Sequence, residues 1–566
     1  MPRPCSACVA VALALTLVTA CATAPYVPRQ AASAPAWNVD VPAIQRPEGE
    51  TAAWWFRAGA AQAAERGAME GRARNVILFV GDGMSLTTVT AARIHQGQRN
   101  GGSGEENQLA WDRFPATAFA KTYNTDKQTP DSAGTITAMV TGVKTRAGVV
   151  NIGPAPSKGD CAGALQAPLL SLWEVAAATG MATGVVSTAR LTHATPAATF
   201  TRSASRDWED DSQLSAAGRD QGCIDIARQF VELPAGRAPR VLLGGGRAHF
   251  MPSTRPDPEY PDTRPGLRRD GRDLIAEWQQ RNPGGTFAWN ADQLASAPLD
   301  APVLGLFEPG HMQFEHDRAG DAGGEPSLAQ LTREAINRLR GSEAGFVLLV
   351  EAGRIDHAHH YGNAIRALDD TVALSDAVQA AIDATSQDDT LIVVTADHGH
   401  TLTFGGYPRR GNPILGKVEH SRSDGGHVLA RDGLGLPYTT LGYANGPGYR
   451  GFNKAQPPEP ITFYSAKDGF EPRKGRPDLT DVDTGDTYFQ QEATVPLEDE
   501  THGGDDVGIW ARGPGSEAVR GTVEQNAVFH FMLQATPRLR QALCARGLCN
   551  ARGVPVELPD PAAFAP

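Results

Sequence analysis

The chain has 566 residues, 41% of them hydrophobic and 20% charged, the composition of a soluble globular protein long enough to bury a large core. Its net charge of -12 at pH 7 excludes a general nucleic-acid binder, because a polyanion would be repelled. Small anionic substrates are not excluded, since bound cations can reverse the field locally.

At the amino terminus, Arg3 precedes an apolar run over residues 8–20. The run is too short to span a membrane and has the form of a signal peptide, expected over residues 1–20. It ends in Val18-Thr19-Ala20-Cys21, which resembles a bacterial lipobox and would make Cys21 the lipidated first residue; ordinary cleavage after a small residue is the alternative. Either way the chain is expected to be exported, as a periplasmic or outer-membrane-anchored lipoprotein of a Gram-negative bacterium. The Pro/Ala-rich residues 21–50 read as a tether.

Residues 51–72 read as an amphipathic helix carrying Trp54, Trp55 and Phe56, an element that could face a partner subunit. Three continuous apolar runs, 75–80, 346–350 and 391–395, read as strands buried on both faces of a parallel sheet, each ending in acidic or histidine residues. Helical stretches at 171–179, 328–339 and 364–384 lie between them. The alternation indicates an α/β fold, a mostly parallel central sheet flanked by helices, with ligands met beyond the carboxyl ends of the strands. That domain is expected over 51–402 and 496–550. Residues 403–495, rich in Gly, Pro, Arg and Asp, read as an accessory insertion, and 551–566 as a frayed tail.

The chemistry-bearing residues follow the same order. Asp82 sits in a Gly-Asp-Gly turn after the first strand, where the backbone can bring a carboxylate close to a metal. Ser132 follows Asp131 at the start of a helix-compatible run. Either residue could serve as a cap, but a hydroxyl at a helix N-terminus is also placed for phosphate chemistry. Thr195 offers a hydroxyl to a hard cation, with His193 beside it, and Arg206 could clamp phosphate. Glu351, Asp356, His357, His359 and His360 fall within ten residues, and Asp356 and His360 share a helical face at i and i+4. Asp397-His398 follows the third strand. His502 lies in Glu500-Thr501-His502-Gly503-Gly504 and would add a third ligand beside Asp356 and His360. Outside the leader, Cys161, Cys223, Cys544 and Cys549 make an even set for an oxidising compartment. Cys544 and Cys549 are close enough to pair, leaving Cys161 with Cys223. Zinc ligation by these cysteines is the rival reading, disfavoured by the lack of a CxxC pair.

Taken together, Gly81-Asp82-Gly83-Met84, Pro130-Asp131-Ser132, Glu351-Ala352-Gly353-Arg354-Ile355-Asp356-His357, Thr395-Ala396-Asp397-His398 and Glu500-Thr501-His502-Gly503-Gly504 resemble the alkaline phosphatase family, over nearly the whole mature chain and in family order. His193 and Arg206-Asp207-Trp208 resemble the animal branch. The resemblance implies a three-layer α/β sandwich with a crown-like accessory region, and hydrolysis of small phosphate monoesters through a phosphoserine at Ser132. It implies one zinc on Asp356, His360 and His502, and a second on Asp82, Asp397 and His398. Magnesium would sit on Asp82, Thr195 and Glu351, with His193 acting through water. Arg206 would hold the phosphate, with His357 near it. It further implies a calcium on Phe307 (through its carbonyl), Glu308 and Glu325, for which Asp262 is a poor fourth match. The same cysteine pairs and a homodimer are implied. A phosphodiesterase or sulfatase on the same fold is the nearest rival, but Ser132 lacks a sulfatase setting and Arg206 favours monoesters.

Overall fold

The computed structural model describes residues 37–234, 236–449 and 476–564. The expected signal peptide, Cys21, most of the tether and residues 450–475 of the accessory insertion lie outside the described residues.

A ten-stranded sheet forms the frame. Eight of its strands are β1 (Asn75–Gly81), β2 (Ala116–Lys121), β3 (Ala182–Arg190), β4 (Val241–Gly245), β5 (Thr286–Ala288), β6 (Val303–Leu306), β7 (Phe346–Ala352) and β8 (Thr390–Ala396). The other two are Val507–Arg512 and Arg520–Glu524. From one edge the order is Arg520–Glu524, β2, Val507–Arg512, β8, β1, β7, β3, β4, β6, β5. Pairing is parallel except where Val507–Arg512 runs antiparallel to both β8 and β2. Every residue of β1, β7 and β8 is buried, as unbroken apolar runs require when both faces are covered.

Register sets the site. Val80 of β1 lies opposite Glu351 of β7 and Thr395 of β8, and Ser187 of β3 opposite Glu351. The carboxyl ends of β1, β7 and β8 are therefore level, while β3 runs on to Arg190, and Asp82, Glu351 and Asp397 emerge at neighbouring strand ends.

Helices Leu328–Leu339 and Ala364–Ala384 coincide with their predicted spans, and Leu172–Ala178 is closed by Gly180 in the left-handed region. The expected helix over 51–72 is shorter. It runs Ala52–Glu65 and is followed by a separate 3-10 turn, because Gly67 takes φ +89. Its aromatic face turns inward. Trp55 and Phe56 are fully buried in the chain's own core and so do not face a partner, while the partly buried Trp54 indole donates to the carbonyl of Pro42 at 2.8 Å. Two segments expected to be loose are packed. Val39, at the end of the tether, and Val554 and Val556, in the expected tail, cluster with Ala60, Ala61 and Ala64 of this helix. Valines within otherwise Pro-rich stretches account for this, since each can seat in a shallow apolar groove.

The accessory insertion carries a three-stranded sheet, Leu402–Phe404, Leu441–Gly446 and Ala493–Pro496, and a hairpin of Glu419–Ser421 with His427–Leu429. Cys161 is bonded to Cys223 and Cys544 to Cys549, as the spacing predicts. No helix among the described residues is long and apolar enough to cross a membrane.

Candidate active site

Beyond the carboxyl ends of β1 and β8, Asp82, Asp397 and His398 converge, all fully buried. His398 Nε2 lies 3.5 Å from Asp82 Oδ1 and 3.3 Å from Asp397 Oδ2. Donor atoms at the corners of a tetrahedron with zinc bonds of about 2.0–2.1 Å stand about 3.3–3.4 Å apart, so the spacing fits one zinc-sized cation. The amides of Gly83 and His398 donate to Asp397 Oδ1, which fixes that carboxylate. Both oxygens of Asp82 lack any hydrogen-bond partner. Burial, with Asp397, Asp356 and Glu351 nearby, pushes the Asp82 carboxyl well above its usual range. A cation would remove both penalties.

Asp356, His360 and His502 form a second converging set. Asp356 and His360 come from the short helix Arg354–His360, at i and i+4 as the sequence predicts. His502 is delivered by a two-residue antiparallel ladder pairing it with His400. Asp356 Oδ1 lies 3.4 Å from His360 Nε2 and 3.3 Å from His502 Nε2, again tetrahedral-edge distances. Carbonyls can only accept, so His502 donates its Nδ1–H to Pro130, His360 to Glu500 and His398 to Gly399. Each ring therefore turns its Nε2 inward, where it offers a lone pair to a metal whenever the ring is neutral. Burial would raise Asp356, but the charge of His360 and the imidazoles around it hold it well below the usual carboxylate range.

A third set joins Asp82 to Glu351 and His193. Glu351 Oε1, Thr195 Oγ1 and His193 Nδ1 are buried with no hydrogen-bond partner, while Glu351 Oε2 accepts from the Ser187 hydroxyl. Burial first, opposed by Ser187 and reinforced by Asp397, lifts Glu351 to about 7. Orphaned oxygens of two carboxylates and a hydroxyl suit a hard cation such as magnesium.

Ser132 is the first residue of helix Ser132–Thr141, capped by Asp131, and its hydroxyl lies 3.0 Å from His398 Nε2. Arg206 reaches the same place. Its Nη1 donates to Asp131 Oδ1 at 2.7 Å and its Nη2 to His193 Nε2 at 2.7 Å. Burial, then the charge of Arg206, pushes His193 down to about 3, which keeps it neutral. His357 packs 5.6 Å from His193, between ring centroids. His359 instead bonds Thr88 and Tyr443 and holds the scaffold.

A family model described as alkaline phosphatase matches residues 73–537. The chain belongs to the alkaline phosphatase family. It is 41% identical over 499 residues to the tissue-nonspecific alkaline phosphatase of Gallus gallus, covering 86% of this chain and 89% of that one. It is 41% identical over 504 residues to the membrane-bound alkaline phosphatase of Bombyx mori, covering 87% and 83%. The fold is similar to that of Thermus thermophilus alkaline phosphatase, with a TM-score of 0.56 at 24% identity over 88% of this chain and 96% of that one. It is likewise similar to the enzyme of the Antarctic bacterium TAB5, with a TM-score of 0.53 at 20% identity over 82% and 98%. As an alkaline phosphatase family member, the chain is a phosphomonoesterase.

Around this candidate site stand residues to which the sequence motifs assign no role. His400 Nε2 bonds Asp356 Oδ1 at 2.7 Å and its Nδ1 bonds Glu500. Against burial, Glu500 and Asp356 carry His400 up to about 10, so it stays charged and ties the Asp356 carboxylate to the His502 segment. Its signal was present, two residues after His398. His311 packs against His357 with centroids 4.0 Å apart and the ring planes tilted by 54°, but stands alone in sequence. The expected calcium ligands also change. Glu308 and Glu325 are buried, yet Asp262 is exposed and no part of their cluster. Glu259 and Asp321 converge with Glu308 instead, and Glu325 Oε2 and Asp321 Oδ1 have no hydrogen-bond partner. The chain near 262 turns outward, while Arg247 and the Gly323 amide orient Glu259 inward.

Proposed function

We propose that this chain hydrolyses phosphate monoesters through a phosphoserine at Ser132, served by two zinc ions and one magnesium. The observation that carries the reading is the Ser132 hydroxyl 3.0 Å from His398 Nε2, between two tetrahedrally spaced donor sets and beside Arg206. Asp356, His360 and His502 would hold one zinc. Asp82, Asp397 and His398 would hold the other. Asp82, Glu351 and Thr195 would hold magnesium, with His193 beside it. Bound there, these ions supply Lewis-acid charge to the attacking and leaving oxygens of an in-line displacement.

The chain's own groups do the rest. The helix N-terminus favours negative charge as Ser132 Oγ attacks phosphorus and the alcohol departs. Asp131 fixes one arm of Arg206, and neutral His193 accepts from the other without competing for charge. The guanidinium is thereby held flat for two nonbridging phosphate oxygens. Water then attacks the phosphoserine and releases phosphate. Because the proposed contacts are to phosphate, specificity for the alcohol is broad. Hydrolysis of an aryl phosphate, compared with the aryl diester and sulfate and repeated after chelation, tests the reading. Turnover of the monoester that survives full chelation would refute it.

The acidic group Glu259, Glu308, Asp321 and Glu325, with the Phe307 carbonyl, is proposed to take calcium. Export and lipidation at Cys21 rest on the leader. A homodimer is supported by exposed apolar residues gathered on the accessory region, among them Phe404, Tyr407, Tyr488 and Val495.

A further inference from the structure

Where strand Arg520–Glu524 turns into helix Ala527–Ala535, three consecutive buried side chains bind separate parts of the chain. Glu524 Oε2 lies 2.9 Å from Lys144 Nζ. Gln525 Nε2 donates to the carbonyl of Asp397 at 2.7 Å. Asn526 Nδ2 donates to the carbonyl of Gly142 at 2.9 Å and to that of Trp55 at 2.8 Å. Gly142 closes the helix that begins with Ser132. A single turn thus grips both the far end of the nucleophile's helix and the backbone of a residue in the cation cluster.

We propose that Gln525 is a positioning residue for the metal set of Asp82, Asp397 and His398; the proposal rests on the phosphatase reading above. Asp397 follows the last residue of β8, where sheet pairing ends. Its carboxylate is fixed by the amides of Gly83 and His398, and Gln525 fixes its peptide plane. Backbone and side chain are then both held, so Oδ2 stays 3.3 Å from His398 Nε2. Without the amide donor the buried carbonyl loses its bond and the peptide can turn, carrying Oδ2 off the tetrahedral edge. Partners behind metal ligands typically change metal affinity by about 10–100-fold when removed.

The fold supplies its own control. Gln534, in the same helix, is equally buried and donates through Nε2 to a backbone carbonyl, that of Ala60, at 2.9 Å, far from any cation cluster. Q525M and Q534M each remove one such bond at nearly constant volume. Zinc affinity is measured on the purified full chain by competition with a chromophoric chelator, alongside thermal melting of the chelated protein. Both variants should melt lower, but only Q525M should bind zinc about 10–100-fold more weakly, with kcat restored by excess zinc. Q525L, which likewise cannot donate, is expected to follow Q525M and provides the measurement if Q525M does not fold. Unchanged zinc affinity in Q525M or Q525L, or an equal loss in Q534M, would overturn the proposal. Failure of the phosphatase reading would show separately, as absent turnover by the unmutated protein while the zinc comparison still stands.

Discussion

Nε2 of His502 stands 3.1 Å from Nε2 of His360, with Asp356 completing the triangle. Both rings donate their Nδ1–H to carbonyls, so two lone pairs face each other unless a cation or proton lies between them. A proton, which Asp356 favours on His360 against burial, or a bound ion relieves this repulsion. Chelation should therefore lower the melting temperature, and zinc should restore it. An ion present at 1,000 times its dissociation constant contributes about 4 kcal/mol. Scanning calorimetry of H502A should show a smaller zinc-dependent shift. An unmutated protein whose melting ignores both chelator and zinc would contradict the cation assignment.

Much of this centre is legible in the sequence. Asp82 and Asp397 each follow a fully apolar run, and the spacing of Asp356 and His360 needs only helical periodicity. What cannot be read is register. His502 reaches the centre because it pairs with His400 about a hundred residues earlier, and two-residue ladders leave no periodic trace. Gln525 and His311 carry no local signal, since each matters only through a partner on another strand or loop. The short strands β4, β5 and β6 are likewise too brief to stand out. Asp262 misled because an acidic residue in the right stretch of sequence says nothing about which way its loop turns.

If Ser132 is the nucleophile, S132A keeps the cation sets and the phosphate pocket but cannot form a phosphoenzyme. Its kcat/KM should fall by about 10³-fold or more, with free phosphate still binding. Quenching with radiolabelled phosphate and mapping the labelled peptide checks this. A labelled S132A, or one with full turnover, would mean that phosphate passes directly to water.

Arg206 should matter to binding more than to assembly. R206A removes charged hydrogen bonds of about 1.5–3 kcal/mol, so KM and the phosphate inhibition constant should rise by about 10- to 100-fold. It also frees Asp131. Burial alone would raise that carboxyl, but Arg206 holds it at about 2 against an ordinary 3.8. A depressed acid contributes stability above about 3.8 and loses it as pH falls through about 2. R206A should therefore lose most stability near neutrality, and its difference from the unmutated protein should shrink as pH falls through about 2. A melting temperature unchanged near neutrality would argue that the pair is not formed in solution.

The acidic group behind β6 carries the opposite sign. Burial, with Glu308 and Asp321 nearby, raises Glu325 to about 9 from an ordinary 4.5, and burial lifts Glu259 to about 7 although Arg247 opposes it. Between about 4.5 and 9 the folded, cation-free protein holds protons that the unfolded chain has released. Stability from these groups is therefore fullest below about 4.5 and declines as pH rises through 7 to 9. A divalent ion displaces those protons, so calcium should bind more tightly as pH rises and should abolish the decline. Melting temperatures across pH 5 to 9, with chelator and with calcium, read this directly (about 5 to 9 being where the two carboxyls titrate). E325Q removes the carboxyl with the largest displacement and should flatten the chelated profile while weakening the calcium response. If the profiles with chelator and with calcium run parallel across the range, these carboxylates hold no ion and their burial has another cause.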